Sequence, residues 1–187
     1  MAEIARSELI LGGQRSGKSR RAESLARQWL DGSPAHQAVL IATGQAWDDE
    51  MRERIERHQR DRAERVPGMA TVEEPLALAE AMSRYSTAQT MVVVDCLTLW
   101  LTNLLMPADG QVVDAAAPTR DVCRAVGSAP GPVVLVSNEI GLGVIPMGRE
   151  VRHYVDALGG LHQAVAAVCG RVTLMAAGLP LTLKDAP

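Results

Sequence analysis

Phenylalanine is absent from this sequence, and aromatic residues make up only 3% of its 187 positions. So few rings argue against a surface on which nucleic-acid bases stack. They also leave the core to Leu, Val, Ala and Ile. An excess of positive charge is missing as well. Nineteen Lys and Arg against 22 Asp and Glu give a net charge of −3, which argues against a nucleic-acid partner. The arginines between 52 and 65 form the most basic stretch, but Asp and Glu interleave them, as on a solvated helix face. Cysteine is scarce: Cys96, Cys123 and Cys169 are too few and too scattered for a zinc site or a disulfide framework. No stretch is apolar and long enough to cross a bilayer. No signal-peptide pattern opens the chain, and no internal repeat is found. The expectation is a cytoplasmic protein of one domain, since this length suffices for one sizeable core.

What the sequence does contain is alternation. Short, valine-rich apolar runs at 8–12, 38–43, 91–95, 133–137 and 171–176 read as strands covered on both faces. Helical patterns lie between them at 17–31, 47–65, 74–86, 97–106, 118–128 and 149–168. This predicts a three-layer α/β fold with a mostly parallel sheet. A short run at 179–184 is a candidate for an antiparallel edge strand. The segment 107–118, with Pro at both ends, reads as an exposed loop, and VPGM at 66–69 ends the second helix. In open sheets of this kind ligands sit beyond the carboxyl ends of the strands, so those ends carry the functional reading.

The first strand end is Gly12-Gly13-Gln14-Arg15-Ser16-Gly17-Lys18-Ser19, a full match to the P-loop pattern between a strand and a helix. Glycines let the backbone curl so that several N–H groups face phosphate oxygens. The helix N-terminus adds partial positive charge. Lys18 is expected to reach the β- and γ-phosphates, and the Ser19 hydroxyl to ligate Mg²⁺. The third strand ends in Asp95, the Walker B pattern that orients Mg²⁺. An acid there can also be a simple helix cap.

Ala42, Thr43 and Gly44 close the second strand, near the expected nucleotide. Asp48, Asp49 and Glu50 suit the start of the helix that follows. Met51, Ile55, His58 and Arg62 share one stripe of that helix. On pattern alone His58 reads as a packed or hydrogen-bonded histidine. A neutral imidazole is also a good nucleophile toward phosphorus, able to hold a nucleotidyl group covalently. Asn138 and Glu139 follow the fourth strand. Glu139 reads equally as an orienting acid or as part of an ordinary turn.

These motifs together are more specific than any one of them. GGQRSGKS, IATGQAWDDEMRERIERHQRDR, TVEEP, VVVDCLTLWLTNLL, VSNEIGLGVIPMGREVRHYVDALG and GLPLTLK span nearly the whole chain. In that order they resemble the bifunctional adenosylcobinamide kinase/adenosylcobinamide-phosphate guanylyltransferases of cobalamin biosynthesis. The resemblance implies a P-loop NTPase fold and two reactions: phosphorylation of adenosylcobinamide by ATP or GTP, then transfer of GMP from GTP. It implies that His58 is the guanylylated histidine and that Lys18 and Asp95 act with it. It further implies that Gln59, Arg60, Asp61, Arg62 and Glu73 line the nucleotide site, and that the chain forms a homo-oligomer, a trimer, with sites near subunit contacts. From the residues alone two alternatives stay open: a P-loop kinase of another small molecule, with a structural His58, and a nucleotide-switched binding module.

Overall fold

A computed structural model describes residues 4–46, 48–107, 110 and 113–186, and all their side chains except that of Arg54. Seven strands among the described residues form one sheet: β1 Ser7–Gly12, β2 Gln37–Ala42, β3 Ala70–Glu73, β4 Thr90–Asp95, β5 Val133–Asn138, β6 Arg171–Ala176 and β7 Leu179–Asp185. Their spatial order is β3-β2-β4-β5-β1-β6-β7. Every neighbouring pair runs parallel except β6 and β7, which are antiparallel at the edge. The central strands β1, β4 and β5 are almost wholly buried, which is why they read as unbroken apolar runs rather than alternating ones.

Six helices among the described residues cover the sheet: α1 Lys18–Gly32, α2 Asp49–Arg65, α3 Leu78–Tyr85, α4 Leu97–Leu105, α5 Ala116–Ser128 and α6 Arg149–Val168. One core cluster lies between the sheet and α3, α4, α5 and α6, around Leu9, Val92, Trp100, Leu135 and Leu158. The other lies on the α1 face, around Ile10, Leu25, Ala26, Val93 and Val134. Methionine and one Trp share this core with the aliphatics: Met82, Met91 and Trp100 are each at most 1% exposed. The buried indole N–H of Trp100 is satisfied by the Leu76 carbonyl at 3.0 Å, as burial of a polar atom requires.

The expected elements stand within a residue or two of these, with three corrections. The four-residue strand β3 was not foreseen. It lies at the sheet edge and is mostly exposed, so it carries no apolar signature. The helix expected from 74 begins at Leu78. The Glu74 carboxylate accepts the Leu76 and Ala77 amides at 3.0 and 2.8 Å, forming a turn that leads into the helix, and Pro75 disfavours helical geometry at Glu74. Finally α5 begins at Ala116, two residues before Pro118, which falls in the first turn where its missing N–H costs nothing. The expected loop therefore ends earlier; its residues 108, 109, 111 and 112, and Trp47 at the expected start of the second helix, lie outside the described residues. The start of α2 is fixed by Asp48, whose side chain accepts the Met51 amide at 2.7 Å.

Candidate active site

The carboxyl ends of β1, β2 and β4 open onto a cavity of about 1320 Å³. The turn between β1 and α1 forms its floor. Gly12 and Gly17 have φ of 152° and 101°, a region that disfavours side chains. A Cβ on Gly12 would stand 2.5 Å from the Met175 carbonyl oxygen and 2.6 Å from Ser16 Oγ. The backbone is thus pressed against β6, and any side chain at Gly12 would force it to shift. Helix α1 starts at this turn without a side-chain cap, which leaves its first amides for a ligand. The buried Ser16 hydroxyl has no partner among the described residues, and Ser16 lines the cavity. An orphaned donor beside uncapped amides is what a phosphate oxygen would satisfy.

The charged groups converge on this floor. The Lys18 ammonium donates to the Gly13 carbonyl at 2.7 Å, held back over the loop. The Ser19 hydroxyl donates to Asp95 Oδ2 at 2.9 Å, so the P-loop serine and the acid ending β4 meet on the cavity wall. A hydroxyl and a carboxylate oxygen side by side form a hard-oxygen donor set suited to Mg²⁺. Cys96, next along the chain, has its thiol pushed up to about 12 by burial and by the Asp95 carboxylate. It stays protonated and is no nucleophile.

Helix α2 supplies another wall. The stripe of Met51, Ile55, His58 and Arg62 faces the cavity. His58 is exposed, so the packed-histidine reading does not describe it. Arg62 is buried and donates to Thr71 Oγ1 at 3.2 Å, tying α2 to β3. Arg65 pairs with Glu23 at 3.0 Å and Asp61 at 3.2 Å; these acids, Glu23 foremost, raise its already high pKa.

Of the residues expected at a nucleotide site, Gln14, Arg15, Ser16, Gly17, Lys18, Ser19, Ala42, Gly44, His58, Gln59, Asp61, Arg62, Glu73 and Asp95 line this one cavity. Gly12 lies beneath the floor, and Gly13 contributes the carbonyl that holds Lys18. Arg60 is exposed and is not among the cavity's lining residues. Thr43 is wholly buried and is not among the cavity's lining residues. Its hydroxyl donates to the Cys96 carbonyl at 2.7 Å and accepts the Cys96 amide at 2.9 Å, clamping the ends of β2 and β4 together. The sequence offers the β6–β7 turn only within the GLPLTLK motif of the resemblance, with no site residue named there. Ala177, Gly178 and Pro180 line the cavity, and the Gly178 amide donates to the Ser16 carbonyl at 3.0 Å. The Gly-Leu-Pro of that turn is the signal that pointed there.

A glycine-rich loop between a buried parallel strand and a helix, with an acid from a nearby strand meeting its serine, defines a P-loop nucleotide-binding α/β protein. The flagellar accessory protein FlaH from Methanocaldococcus jannaschii shares the fold, with a TM-score of 0.56 and 11% identity over 98% of this chain and 80% of that one. The family model for cobinamide kinase / cobinamide phosphate guanyltransferase matches residues 8–183, and the chain belongs to that family. It is 49% identical to the bifunctional adenosylcobalamin biosynthesis protein CobP of Pseudomonas aeruginosa, over 96% of this chain and 98% of that protein. The CobU proteins of Escherichia coli and Salmonella typhimurium, also named bifunctional adenosylcobalamin biosynthesis proteins, are 35% and 34% identical over 94% of this chain and 98% of theirs.

Proposed function

We propose that this chain carries out both reactions of its family at one nucleotide site, and that His58 carries the GMP group. The observation behind this reading is that the P-loop and His58 line the same cavity. In the kinase reaction an acceptor hydroxyl of adenosylcobinamide attacks the γ-phosphorus of ATP or GTP. The β–γ bridge breaks, the nucleoside diphosphate leaves and the hydroxyl proton is lost. Lys18, released from the Gly13 carbonyl, and the loop amides stabilise the charge on the transferring group. Ser19 and Asp95 would hold a Mg²⁺ that arrives with the triphosphate and supplies positive charge against its oxygens.

In the second reaction a ring nitrogen of His58 attacks the α-phosphorus of GTP and pyrophosphate leaves. A phosphate oxygen of the phosphorylated cobinamide then displaces the imidazole from that phosphorus. Protonation makes the imidazole a good leaving group, so a histidine suits a relay of this kind. The exposure of His58 leaves it accessible to both partners. A homo-oligomer fits the exposed Leu142, Val144 and Met147 on the loop after β5 and the exposed Leu179, Leu181 and Leu183 on β7.

His58→Ala separates the two chemistries. The P-loop is untouched, so phosphorylated cobinamide should still form from ATP, while no GDP-cobinamide appears. A folded His58→Ala enzyme that still makes the guanylylated product would refute the assignment.

A further inference from the structure

A chain of buried and half-buried polar groups stands behind the cavity wall, on the α4 and α6 side of the sheet. His162, on α6, is 6% exposed. Its Nε2 is 2.7 Å from Ser137 Oγ, and its Nδ1 is 3.5 Å from Glu139 Oε2. Ser137 Oγ is 3.1 Å from Thr98 Oγ1, which accepts the Asn138 amide at 2.7 Å. Glu139 Oε1 accepts the Gly141 amide at 2.6 Å, and the Glu139 amide donates to the Gly12 carbonyl at 3.0 Å. With a neutral imidazole the contacts are satisfied when Thr98 donates to Ser137, Ser137 donates to Nε2, and Nδ1–H faces the Glu139 carboxylate. Burial, opposed by Glu139, holds the His162 pKa below the usual value, which favours that neutral form.

The chain connects parts of the site that lie far apart in sequence. Thr98 sits in the first turn of the helix that follows Asp95. Glu139 is bonded to the first P-loop residue. Asn138 and Ile140, on either side of Glu139, line the cavity, whereas His162 itself does not. We propose that His162 is a positioning residue for the phosphoryl acceptor: it fixes Glu139 and Ser137, and through them holds the Asn138–Ile140 wall at the set distance from the P-loop. The P-loop keeps its own bonds to β6 and to the β6–β7 turn, so nucleotide binding does not depend on His162. This inference rests on the kinase reading above.

The test measures the kinase reaction and amide hydrogen exchange together, on wild type, His162→Ala and His162→Asn. The asparagine amide can take the place of Nδ1 and keep the donor toward Glu139. For His162→Ala the kcat/KM for cobinamide should fall roughly tenfold or more, as expected when a reacting group is displaced by a fraction of an ångström. The KM for ATP should stay within about twofold, because the P-loop contacts that bind triphosphate are unchanged. Exchange should quicken in the peptide spanning Asn138 to Gly141 while the rest of β5 and α6 stays protected. His162→Asn should recover most of the cobinamide kcat/KM. If His162→Ala does not fold, Ser137→Ala removes the Nε2 partner and carries the same expectations. The proposal is overturned if the kcat/KM for cobinamide is unchanged, if the KM for ATP rises as well, or if β5 and α6 lose protection throughout. A wild-type protein that never phosphorylates cobinamide refutes the kinase reading instead, and the exchange result then decides whether His162 holds the wall.

Discussion

Replacing Gly12 by alanine puts a methyl group where the P-loop is closest to its neighbours. The new Cβ would stand 2.5 Å from the Met175 carbonyl oxygen, 2.6 Å from Ser16 Oγ and 3.2 Å from Met175 Cβ. Two of these three atoms belong to β6, which is paired along its length to β1 and cannot yield easily. The backbone must shift, and overpacking of this kind costs about 1–3 kcal/mol. Holding a non-glycine residue at φ 152° adds about 1–3 kcal/mol. The sum is roughly 2–6 kcal/mol, and at about 2–4 °C per kcal/mol for a chain of this size the Tm should fall by about 4–24 °C. Gly13→Ala is the matched control. A Cβ there meets nothing within 4 Å, so stability should stay within about 0.5 kcal/mol of wild type. Thermal melts of both variants, with titration of a nonhydrolysable triphosphate, read the result. Gly12→Ala should be destabilised and should bind triphosphate poorly. Equal melting temperatures for the two variants would refute the view that the loop is shaped by close contact with β6.

Lys18→Ala should sharply weaken triphosphate binding and lower both reactions, because the ammonium compensates phosphate charge in a site partly shielded from water; unchanged affinity and turnover, by calorimetry and product assay, would remove the P-loop from the mechanism. Asp95→Asn keeps an oxygen that can accept the Ser19 hydroxyl but loses the charge, so the Mg²⁺ concentration for half-maximal activity should rise while the Tm changes little; a Mg²⁺ titration matching wild type would reduce Asp95 to a strand-end cap. His162 gives a pH dependence of stability. Its folded pKa lies below the ordinary value, so its contribution is complete above an unfolded pKa of about 6.5 and is lost as pH falls toward the folded pKa. Urea midpoints should therefore drop between pH 7.5 and 5.5, and drop less in His162→Asn; equal losses in both proteins would contradict the shift.

How much of this was legible in the sequence depended on how local the information was. The P-loop could be read because its glycines, lysine and serine are contiguous. The buried strands could be read because their apolar runs are unbroken. Strand β3 could not, because an exposed four-residue edge strand has no face to bury. Thr43 is the expected second-strand residue that does not line the cavity. Its hydroxyl is taken up by the Cys96 backbone, while Ala42 and Gly44 line the cavity, and such bonds between strands are not written in the sequence. His58 was visible as a member of a helical stripe, but only the fold reveals that the stripe lines a cavity. The bond from Gly178 to Ser16 and the pairing of His162 with Glu139 join segments distant along the chain, and no spacing rule connects them.

The most direct test of the central claim, that the P-loop and His58 serve one cavity in which GMP is carried covalently, is to trap the carrier. The protein is incubated with GTP labelled at the α-phosphate and Mg²⁺, denatured, digested and mapped by mass spectrometry. The account predicts one labelled residue, His58, through a bond that is acid-labile and base-stable, with no label in Lys18→Ala. Label on His36, His153 or His162, or no covalent label in an enzyme that still makes GDP-cobinamide, would contradict it.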